Sequence, residues 1–285
     1  MVTIKRIARF STPRSLRNWL RAPTKSAAWA WDETKYALRS RHIFEVSPGW
    51  RLVCHPAAYR LAYSAQFADS DQVSEFDGFI GTCRPGMVLF DIGAHFGIFS
   101  LAALHYGGPN AKAIAVDPSP TACRIMRIQA KLNHAVNRLQ IVQASVGDQT
   151  SPQEMVAVGV IAAGYFLAPG EDHDSHELTR TQATTLDELA EKCDTIPTHV
   201  KIDVEGSEAA VLRGGRRVLS SPEAPLLFIE LHNQIVCERN GDPMETLLQL
   251  KSAGYQTFSA DGRPIDKPQI LNSPLMRIIA RKTSS

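Results

Sequence analysis

The chain has 285 residues, of which 44% are hydrophobic and 21% are charged, and its formal net charge at pH 7 is +2. This composition is typical of globular proteins, and the near-neutral charge excludes a strong overall attraction to nucleic acid. No apolar run reaches the ~18 residues of a transmembrane helix, and the N-terminus lacks the apolar core of a secretory signal. Five cysteines lie far apart without a CxxC motif. They predict reduced thiols in a cytoplasmic protein.

The N-terminus differs from this average, because residues 1–31 contain seven basic residues, three tryptophans and no acidic residue. The simplest interpretation is a solvated extension that covers one edge of a domain. Such a segment also suits an anionic membrane surface, a protein partner or an organelle transit peptide. We divide the chain into a basic N-terminal segment, residues 1–45, and a second unit, residues 46–285. Contact of residues 1–31 with the inner membrane face is kept as a hypothesis.

Beyond residue 86, short apolar runs alternate with stretches of helical periodicity. Core strands are predicted at residues 88–92, 113–116, 139–144, 199–204 and 226–231. Helices are predicted at residues 98–106, 118–135, 207–219 and 244–253, with another that begins near 185–189. A further strand at 154–160 leads into a polar loop at 168–176, and closing strands are predicted at 255–258 and 276–280. Alternation of apolar strands with helices indicates an α/β fold whose mostly parallel sheet is covered on both faces.

Acidic residues stand at the ends of four of the five predicted core strands, namely Asp91, Asp117, Asp203 with Glu205, and Glu230. In open parallel sheets, ligands bind outside the carboxyl ends of the strands. The acidic residues therefore predict a ligand site at that edge.

The stretch MVLFDIGAHFG, residues 87–97, joins the first of these acids to a glycine turn. It matches neither the G-x-G-x-x-G of dinucleotide folds nor a phosphate loop, and an acid at this place would repel a pyrophosphate. S-adenosylmethionine suits it better, since it carries an ammonium and a sulfonium but no phosphate. Glycines let the backbone approach the ligand, and the Asp117 carboxylate can accept hydrogen bonds from ribose hydroxyls. The predicted cofactor-binding residues are Asp91, Gly93, Ala94, His95, Gly97, Asp117, Pro118, Ser119, Ala144 and Ser145.

Five motifs then occur in a fixed order, FDIGAHFG, AVDPSP, TLDEL, VKIDVEGSEAAVLRGG and LFIELH. Over residues 75–255 the chain resembles the FkbM-type methyltransferases. The resemblance implies a class I methyltransferase fold, a Rossmann-like three-layer sandwich, with S-adenosylmethionine as the methyl donor and a hydroxyl of a sugar, lipid-linked glycan or polyketide as acceptor. His95 stands where the family more often has asparagine, and Asp117 where it more often has glutamate. Both departures keep a polar side chain.

Four residues are candidates for the chemistry: Asp203, Glu205, Glu230 and His232. Alternate residues of a strand share a face, so the two pairs can converge beside the methyl group. We predict that His232 is the base, because an unperturbed imidazole titrates near pH ~6.5, and that Glu230 orients it. Asp203 holds the cofactor amino group or the substrate hydroxyl. No metal is predicted, although the same four residues could form a divalent-cation site.

The neighbouring Glu208 is interpreted as a helix-terminal charge, and Glu205 stays open between that role and chemistry. The leading hypothesis is O-methylation of a glycan, glycolipid or secondary metabolite. The alternatives are a catalytically silent binding module and a nicotinamide-dependent dehydrogenase, which the missing glycine fingerprint disfavours. Basic and aromatic residues do not cluster in the core domain, so no nucleic-acid partner is predicted. The acceptor and the oligomeric state stay open.

Overall fold

A computed structural model describes residues 23–151, 153–157, 164–166, 177–260, 262–265, 269 and 273–282. Residues 1–22 of the basic N-terminal segment, the end of the strand predicted at 154–160 and the polar loop predicted at 168–176 lie outside these ranges. Within them, no helix combines the length and the apolar character that crossing a membrane requires.

A seven-stranded sheet forms the centre of the molecule. Its strands are β3 (Val88–Ile92), β4 (Lys112–Val116), β5 (Leu139–Val142), β11 (His199–Ile202), β12 (Leu226–Leu231), β13 (Tyr255–Ser259) and β14 (Met276–Lys282). Their order across the sheet is β13-β14-β12-β11-β3-β4-β5. The five strands from β5 to β12 run parallel, while β14 is antiparallel to both β12 and β13. The strand order reverses direction at β3, which pairs with β4 on one side and β11 on the other.

The remaining strands form small separate sheets: β1 (His42–Ser47), β2 (Trp50–Cys54), β6 (Ser145–Gly147), β7 (Gln153–Ala157), β8 (Gly164–Phe166), β9 (Glu177–Thr181) and β10 (Ala183–Thr185). Strands β1 and β2 are an antiparallel hairpin, β6 pairs with β10, and β7 lies between β8 and β9. The hairpin spans residue 45, where the sequence analysis ends the N-terminal segment.

The helices are α1 (Pro23–Ala37), α2 (Pro56–Ala58), α3 (Ser64–Gln66), α4 (Ser70–Thr82), α5 (Ile98–Tyr106), α6 (Pro120–Leu132), α7 (Leu186–Lys192), α8 (Glu208–Arg213), α9 (Arg216–Ser220), α10 (Asn233–Glu238) and α11 (Glu245–Ser252), with a π-helical turn at Tyr59–Tyr63. Each predicted core element is present, with ends that differ by a few residues. Helices α1 to α4 and α10 were not predicted, nor were the strands of the small sheets other than β7.

Side chains that point alternately to the two faces of the sheet contribute to two hydrophobic cores, one on each face. Leu89 packs with α5 and α6 residues in one core, whereas its neighbours Phe90 and Ile92 pack with α7 and α8 residues in the other. Because successive side chains of a strand point to opposite faces, apolar runs without alternation supply both cores. The expected α/β architecture, a mostly parallel sheet between helical layers, is confirmed.

The helix predicted over residues 207–219 is two helices, α8 and α9, separated by Gly214 and Gly215. A Cβ atom on Gly214 would lie 2.0 Å from the Gly147 carbonyl oxygen. The two helices therefore meet β6 at a distance that only a glycine permits. This junction fixes the end of α8, whose other end borders the site described below.

Candidate active site

The glycine loop after β3 is fastened to the end of the neighbouring strand β4. The backbone N–H groups of Gly93 and Ala94 both donate to the Val116 carbonyl, at 2.9 and 3.0 Å. The next N–H, that of His95, donates to Oδ2 of Asp117 at 2.8 Å. The loop thus lies over the carboxyl ends of β3 and β4, where the strand order reverses and where such sheets hold their ligands.

Gly93 has a packing role in addition to the cofactor contact predicted for it, which stays a prediction. Its φ is +81°, and a Cβ atom there would lie 1.8 Å from the Asp203 carbonyl oxygen. The sequence analysis assigned this glycine to close approach of the ligand, but in the structure the group next to it is the backbone that follows β11. Gly93 therefore lets two adjacent strand ends converge, and the ligand-binding loop follows from that convergence.

His95 and Gly97 give the loop its shape through left-handed backbone conformations, with φ values of +49° and +77°. Gly97 is the N-cap of α5, and a Cβ atom on it would meet Met126 at 3.3 Å. Burial lowers the pKa of the His95 imidazole to about 4, so this side chain is neutral near pH 7. His95, which stands where the family more often has asparagine, is thus also an uncharged polar side chain.

Asp91 lies inside β3 rather than at its tip, and its side chain is buried. Oδ2 accepts hydrogen bonds from the Ser100 backbone N–H at 3.1 Å and the Ser100 hydroxyl at 2.7 Å. Burial raises the pKa of this carboxyl to about 6, against the opposing effects of Ser100 and of Lys201. A buried carboxyl in this state favours a neighbouring cationic group.

Asp117 follows β4, and its two carboxylate oxygens each accept one backbone N–H, from Ser119 at 2.8 Å and from His95. Burial, together with the charges of Asp91 and Asp203, raises its pKa to about 7, although both N–H bonds oppose this. Each oxygen retains a lone pair for a hydroxyl donor. Buried acids that repel one another suit the cationic, hydroxyl-rich S-adenosylmethionine, so the residues present fit this group.

The remaining predicted cofactor residues have local partners. Pro118 precedes Ser119, whose hydroxyl caps α6 by accepting the Ala122 N–H at 3.2 Å. Ala144 and Ser145 are buried at the start of β6, where the Ser145 N–H donates to the Gln182 carbonyl at 2.9 Å. Their contribution to cofactor binding stays a prediction.

Three of the four predicted catalytic side chains converge in one cluster: Asp203, Glu205 and His232. The His232 Nε2 atom lies 3.7 Å from Oδ1 of Asp203 and 3.6 Å from Oε2 of Glu205. The His232 side chain is 10% exposed, whereas those of Asp203 and Glu205 are 36% and 33% exposed. The cluster is thus closed on the histidine side and open to solvent on the carboxylate side.

Two backbone features place these groups. Asp203 extends the pairing of β11 with β3 by one residue, because its N–H donates to the Ile92 carbonyl at 2.9 Å. The chain then turns through Glu205 and Gly206, whose φ values are +51° and +89°. A left-handed glutamate is uncommon, and here its carbonyl accepts a hydrogen bond from Arg239 at 3.0 Å. This turn brings the Glu205 carboxylate back towards Asp203.

Glu208 belongs to the site, which the sequence analysis did not predict. It is 1% exposed, and its Oε1 lies 2.8 Å from Nδ1 of His232 and 3.0 Å from the Gly206 nitrogen, which donates to it. Glu208 does begin α8, as predicted, but it also holds the His232 ring with Nε2 facing Asp203 and Glu205. A glutamate at a predicted helix start and a histidine at a predicted strand end were signals that could have suggested the pair.

Glu230 does not orient His232, which corrects the sequence-based expectation. Its Oε1 accepts from Arg277 at 2.7 Å, and its Oε2 lies 3.7 Å from Nζ of Lys201. Lys201 also lies 3.0 Å from Glu75, which in turn pairs with Arg277 at 3.3 Å. Glu230 is therefore a member of a buried network of four charges beneath the site, whereas His232, one residue past the end of β12, pairs with Glu208.

The electrostatics of His232 differ from those of an unperturbed imidazole. Burial disfavours its charged form, but the hydrogen bond to Glu208 and the charges of Asp203, Glu208 and Glu205 together raise its pKa to about 9. The ligand-free protein thus carries an imidazolium here at neutral pH. The expectation of a neutral base, which rested on an ordinary pKa, does not hold in this state. The catalytic role of His232 stays a prediction.

A hydrogen-bonded chain supports the glycine loop from the N-terminal side. The Tyr63 hydroxyl donates to the Phe96 carbonyl at 2.7 Å and accepts from Gln129 at 2.8 Å. Gln129 in turn accepts the His55 backbone N–H at 3.0 Å. Tyr63, in the π-helical turn, lies outside every motif quoted above. It thus connects the segment after the β1–β2 hairpin to the cofactor loop.

Taken together, the strand order, the loop over β3 and β4 and the acids beside it define a class I methyltransferase fold. A family model described as the methyltransferase FkbM domain matches residues 91–257, more than half of the chain. The chain therefore belongs to the FkbM methyltransferase family. The matching model describes a methyltransferase domain, and the match favours neither a dehydrogenase nor a silent binding module.

Curated relatives share shorter stretches. The chain is 30% identical over 97 residues to a ribosomal protein L11 methyltransferase from Pelotomaculum thermopropionicum, which covers 30% of this chain and 31% of that protein. It is 34% identical over 79 residues to a tRNA (guanine(37)-N(1))-methyltransferase from Leishmania braziliensis, and this stretch covers 28% of this chain and 11% of that protein. The chain thus spans less than a third of the length of either relative. A precorrin-6y C5,15-methyltransferase structure from Geobacter metallireducens matches 74% of this chain and 87% of its own, with 16% identity and a TM-score of 0.42.

Proposed function

We propose that this methyltransferase O-methylates a hydroxyl of a glycan, glycolipid or secondary metabolite. One observation carries the proposal: the cluster of Asp203, Glu205 and His232 lies beside the cofactor loop and is open on its carboxylate side. Hydroxyl groups donate to carboxylates, and a group that takes the proton assists their methylation. The N-P-P-[YF] tetrapeptide that would favour a nitrogen acceptor does not occur in the sequence.

The position of the cluster relative to the cofactor loop follows from Gly93, which lies against the Asp203 backbone. The Asp117 carboxylate accepts hydrogen bonds from the ribose hydroxyls of S-adenosylmethionine. Asp91 and Asp203 supply negative charge for its ammonium and sulfonium groups. When bound, S-adenosylmethionine supplies an activated methyl group, whose bond to sulfur breaks as the bond to the acceptor oxygen forms. Asp203 and Glu205 receive the acceptor hydroxyl, and the cluster takes its proton. Most of the acceleration then comes from positioning.

The test uses methyl-labelled S-adenosylmethionine with methyl glycosides, a glycolipid in detergent micelles and a hydroxylated polyketide as acceptors. We expect a labelled methyl ether, which resists alkaline hydrolysis, from at least one of these. The relatives named above act, by their names, on a ribosomal protein and on tRNA. Ribosomal protein and tRNA therefore complete the panel, and labelling of these alone would contradict the proposal.

Glu205→Gln should reduce the methyl-transfer rate by ~10²-fold or more, because the proton-accepting cluster loses a carboxylate. Affinity for S-adenosylhomocysteine should change little, since this side chain lies on the acceptor side of the cluster. Glu223→Gln, at an exposed glutamate, is the matched control and should leave both quantities unchanged. A wild-type rate in Glu205→Gln would remove this residue from the mechanism.

We also propose that the enzyme is cytoplasmic and that residues 1–31 bring it to an anionic membrane face. Exposed Trp31 and the neighbouring Lys35, whose Nζ lies 5.6 Å from the centre of the Trp31 ring, support this within the described part of α1. Such basic and aromatic pairs suit the interface between headgroups and acyl chains. A membrane-borne acceptor would then be presented to the open side of the cluster.

A further inference from the structure

The three side chains Asp203, Glu205 and His232 each offer one ligand atom, and these atoms lie within 4.8 Å of one another. Metal–ligand bonds of about 2.1 Å place two ligands of one cation roughly 3.0–4.2 Å apart, depending on the angle between them. The distances of 3.7 and 3.6 Å from His232 Nε2 fall in this range. The carboxylate pair needs a movement of less than about 1 Å, which partly exposed side chains can make.

The second observation is the arrangement behind the histidine. Glu208, which is 1% exposed, pairs with Nδ1 and thereby leaves Nε2 facing the two carboxylates. Nε2 itself is 3.6 Å or more from both acids, which is too far for a hydrogen bond. Histidines that bind metals almost always donate their other N–H to a carboxylate or carbonyl in this way. A buried imidazole whose outward nitrogen faces two oxygens is thus positioned as a ligand, and a cation that binds there displaces the proton from Nε2.

Charge and access agree with this arrangement. Three carboxylates, those of Asp203, Glu205 and Glu208, surround one histidine, so the cluster is negative even with a protonated ring. The exposed side of the two outer carboxylates leaves room for water or an acceptor oxygen to complete the coordination. One imidazole nitrogen with two carboxylate oxygens suits first-row divalent ions such as Mn²⁺ better than an all-oxygen site would.

We propose that Asp203, Glu205 and His232 bind one divalent cation, with Glu208 as the positioning residue for His232. The cation lies beside the cofactor loop, on the side from which the acceptor hydroxyl enters. There it acidifies a coordinated hydroxyl, whose proton passes to the free oxygen of a cluster carboxylate as the hydroxyl oxygen takes the methyl group from sulfur and S-adenosylhomocysteine departs. This chemical role rests on the proposed O-methylation, whereas cation binding itself does not.

The test is a titration of Mn²⁺ into the full-length protein, followed by the loss of the free-ion electron paramagnetic resonance signal. We expect one site per chain. Asp203→Asn and Glu205→Gln should each weaken binding by at least ten-fold, and Glu208→Gln by 10- to 100-fold because the histidine loses its orientation. Glu223→Gln is the matched control and should bind as wild type does. Mg²⁺ and Zn²⁺ are then added as competitors.

Circular dichroism and the thermal unfolding midpoint, measured on the same samples, show that each variant is folded; S-adenosylhomocysteine affinity is measured beside them. A wild-type protein that binds S-adenosylhomocysteine but none of the three cations would overturn the proposal, as would equal Mn²⁺ affinity in all variants. Cation binding without methylation of any hydroxyl acceptor would instead retain the site and contradict the proposed function. The two proposals therefore fail in different experiments.

Discussion

Gly93 is the glycine of the cofactor loop, the loop after β3, at which an added Cβ atom would make the closest contact. Gly93→Ala combines a left-handed φ with a Cβ atom 1.8 Å from the Asp203 carbonyl oxygen. The φ alone costs an alanine about 1–2 kcal/mol, and the contact forces a backbone to move. We expect the free energy of unfolding to fall by more than ~3 kcal/mol in urea titrations, with weaker S-adenosylhomocysteine binding.

Gly86→Ala is the matched control, because Gly86 has a φ of +77° but a Cβ atom at this position would meet nothing within 4 Å beyond its chain neighbours. It should show the conformational cost of about 1–2 kcal/mol alone. Equal destabilisation by the two substitutions would mean that the convergence of the β3 and β11 ends is not what requires a glycine at position 93.

Cofactor affinity should depend on pH through Asp91 and Asp117. Their pKa values of about 6 and about 7 in the ligand-free protein exceed those of an unfolded chain, so the fold holds protons that a cationic, hydroxyl-rich ligand displaces. Affinity for S-adenosylhomocysteine should rise by roughly ten-fold from pH 5.5 to pH 8, with proton release. Calorimetry in two buffers of different ionisation enthalpy measures both quantities.

The free energy of unfolding depends on pH in the opposite direction from cofactor affinity. A carboxyl whose pKa is raised by folding favours the fold at pH values below its unfolded pKa, and that contribution is lost as the pH rises through about 6 and about 7.

The Asp117→Asn variant tests the pH dependence of affinity, because an asparagine does not ionise. It should bind S-adenosylhomocysteine more weakly, and its affinity should change less with pH. An unchanged profile in this variant would assign the dependence to other groups.

The residues of the site were predictable to different extents. Asp203, Glu205 and His232 followed from strand ends at one sheet edge, because parallel strands bring those ends together. The partner of His232 was only partly predictable: Glu208 stands at a predicted helix start, but its contact with His232 depends on the left-handed turn at Glu205 and Gly206, which returns the start of α8 to the end of β12. Sequence spacing gives no direct measure of such a turn.

At the scale of elements, the buried charges of Glu75, Lys201, Glu230 and Arg277 connect α4 with β11, β12 and β14. Lys201→Met leaves two buried carboxylates facing one arginine. Removing one member of a buried network costs about 3–5 kcal/mol, so we expect a loss of this size in the free energy of unfolding. Adding Glu75→Gln should recover part of it, because the remaining charges balance.

Arg217→Met is the control for removal of a positive charge, since the Arg217 side chain is 63% exposed and pairs with an exposed Glu191. Exposed pairs contribute about 0–1 kcal/mol, and the variant should unfold almost as wild type does. A Lys201→Met variant that loses no more than this control would show that the network does not stabilise the junction of these elements.

The elements themselves were largely predictable. Strands β3 and β12 have the predicted ends, because each is an apolar run bounded by polar or turn residues. Other features were not predicted: the elements before residue 86, the strands β6 and β8 to β10, the break between α8 and α9, and the short α10. The break reflects tertiary contact of Gly214 with β6 rather than local propensity, and α10 has six residues, too few for a clear periodic pattern.

For the whole molecule, the basic segment should control attachment to membranes. Deleting residues 1–22 leaves α1 and its ion pairs with the domain, such as Asp32 with Arg60 at 2.7 Å, in place. We expect wild type to float with anionic liposomes at low salt, and the deletion variant to lose most of this binding because six of the basic residues are removed. Flotation at 0.5 M salt and with neutral liposomes supplies the controls.

Deletion of residues 1–31 would be a poorer experiment, since it removes more than half of α1 together with the charges. Retained S-adenosylhomocysteine affinity in the shorter deletion shows that the domain is intact. Unchanged, salt-sensitive flotation of that variant would transfer the membrane hypothesis from the N-terminus to another surface of the protein.

The position of β14 between β12 and β13 has a consequence for synthesis. As the nascent chain lengthens, β12 and β13 emerge first, yet both lack the strand with which they pair, β14, until residues 276–282 are made. Until then β12 is an unpaired edge of the growing sheet, and unpaired edges invite association with other chains. A chain whose synthesis ends at residue 257, the limit of the family match, would lack β14, and the edge of β12 would stay unpaired.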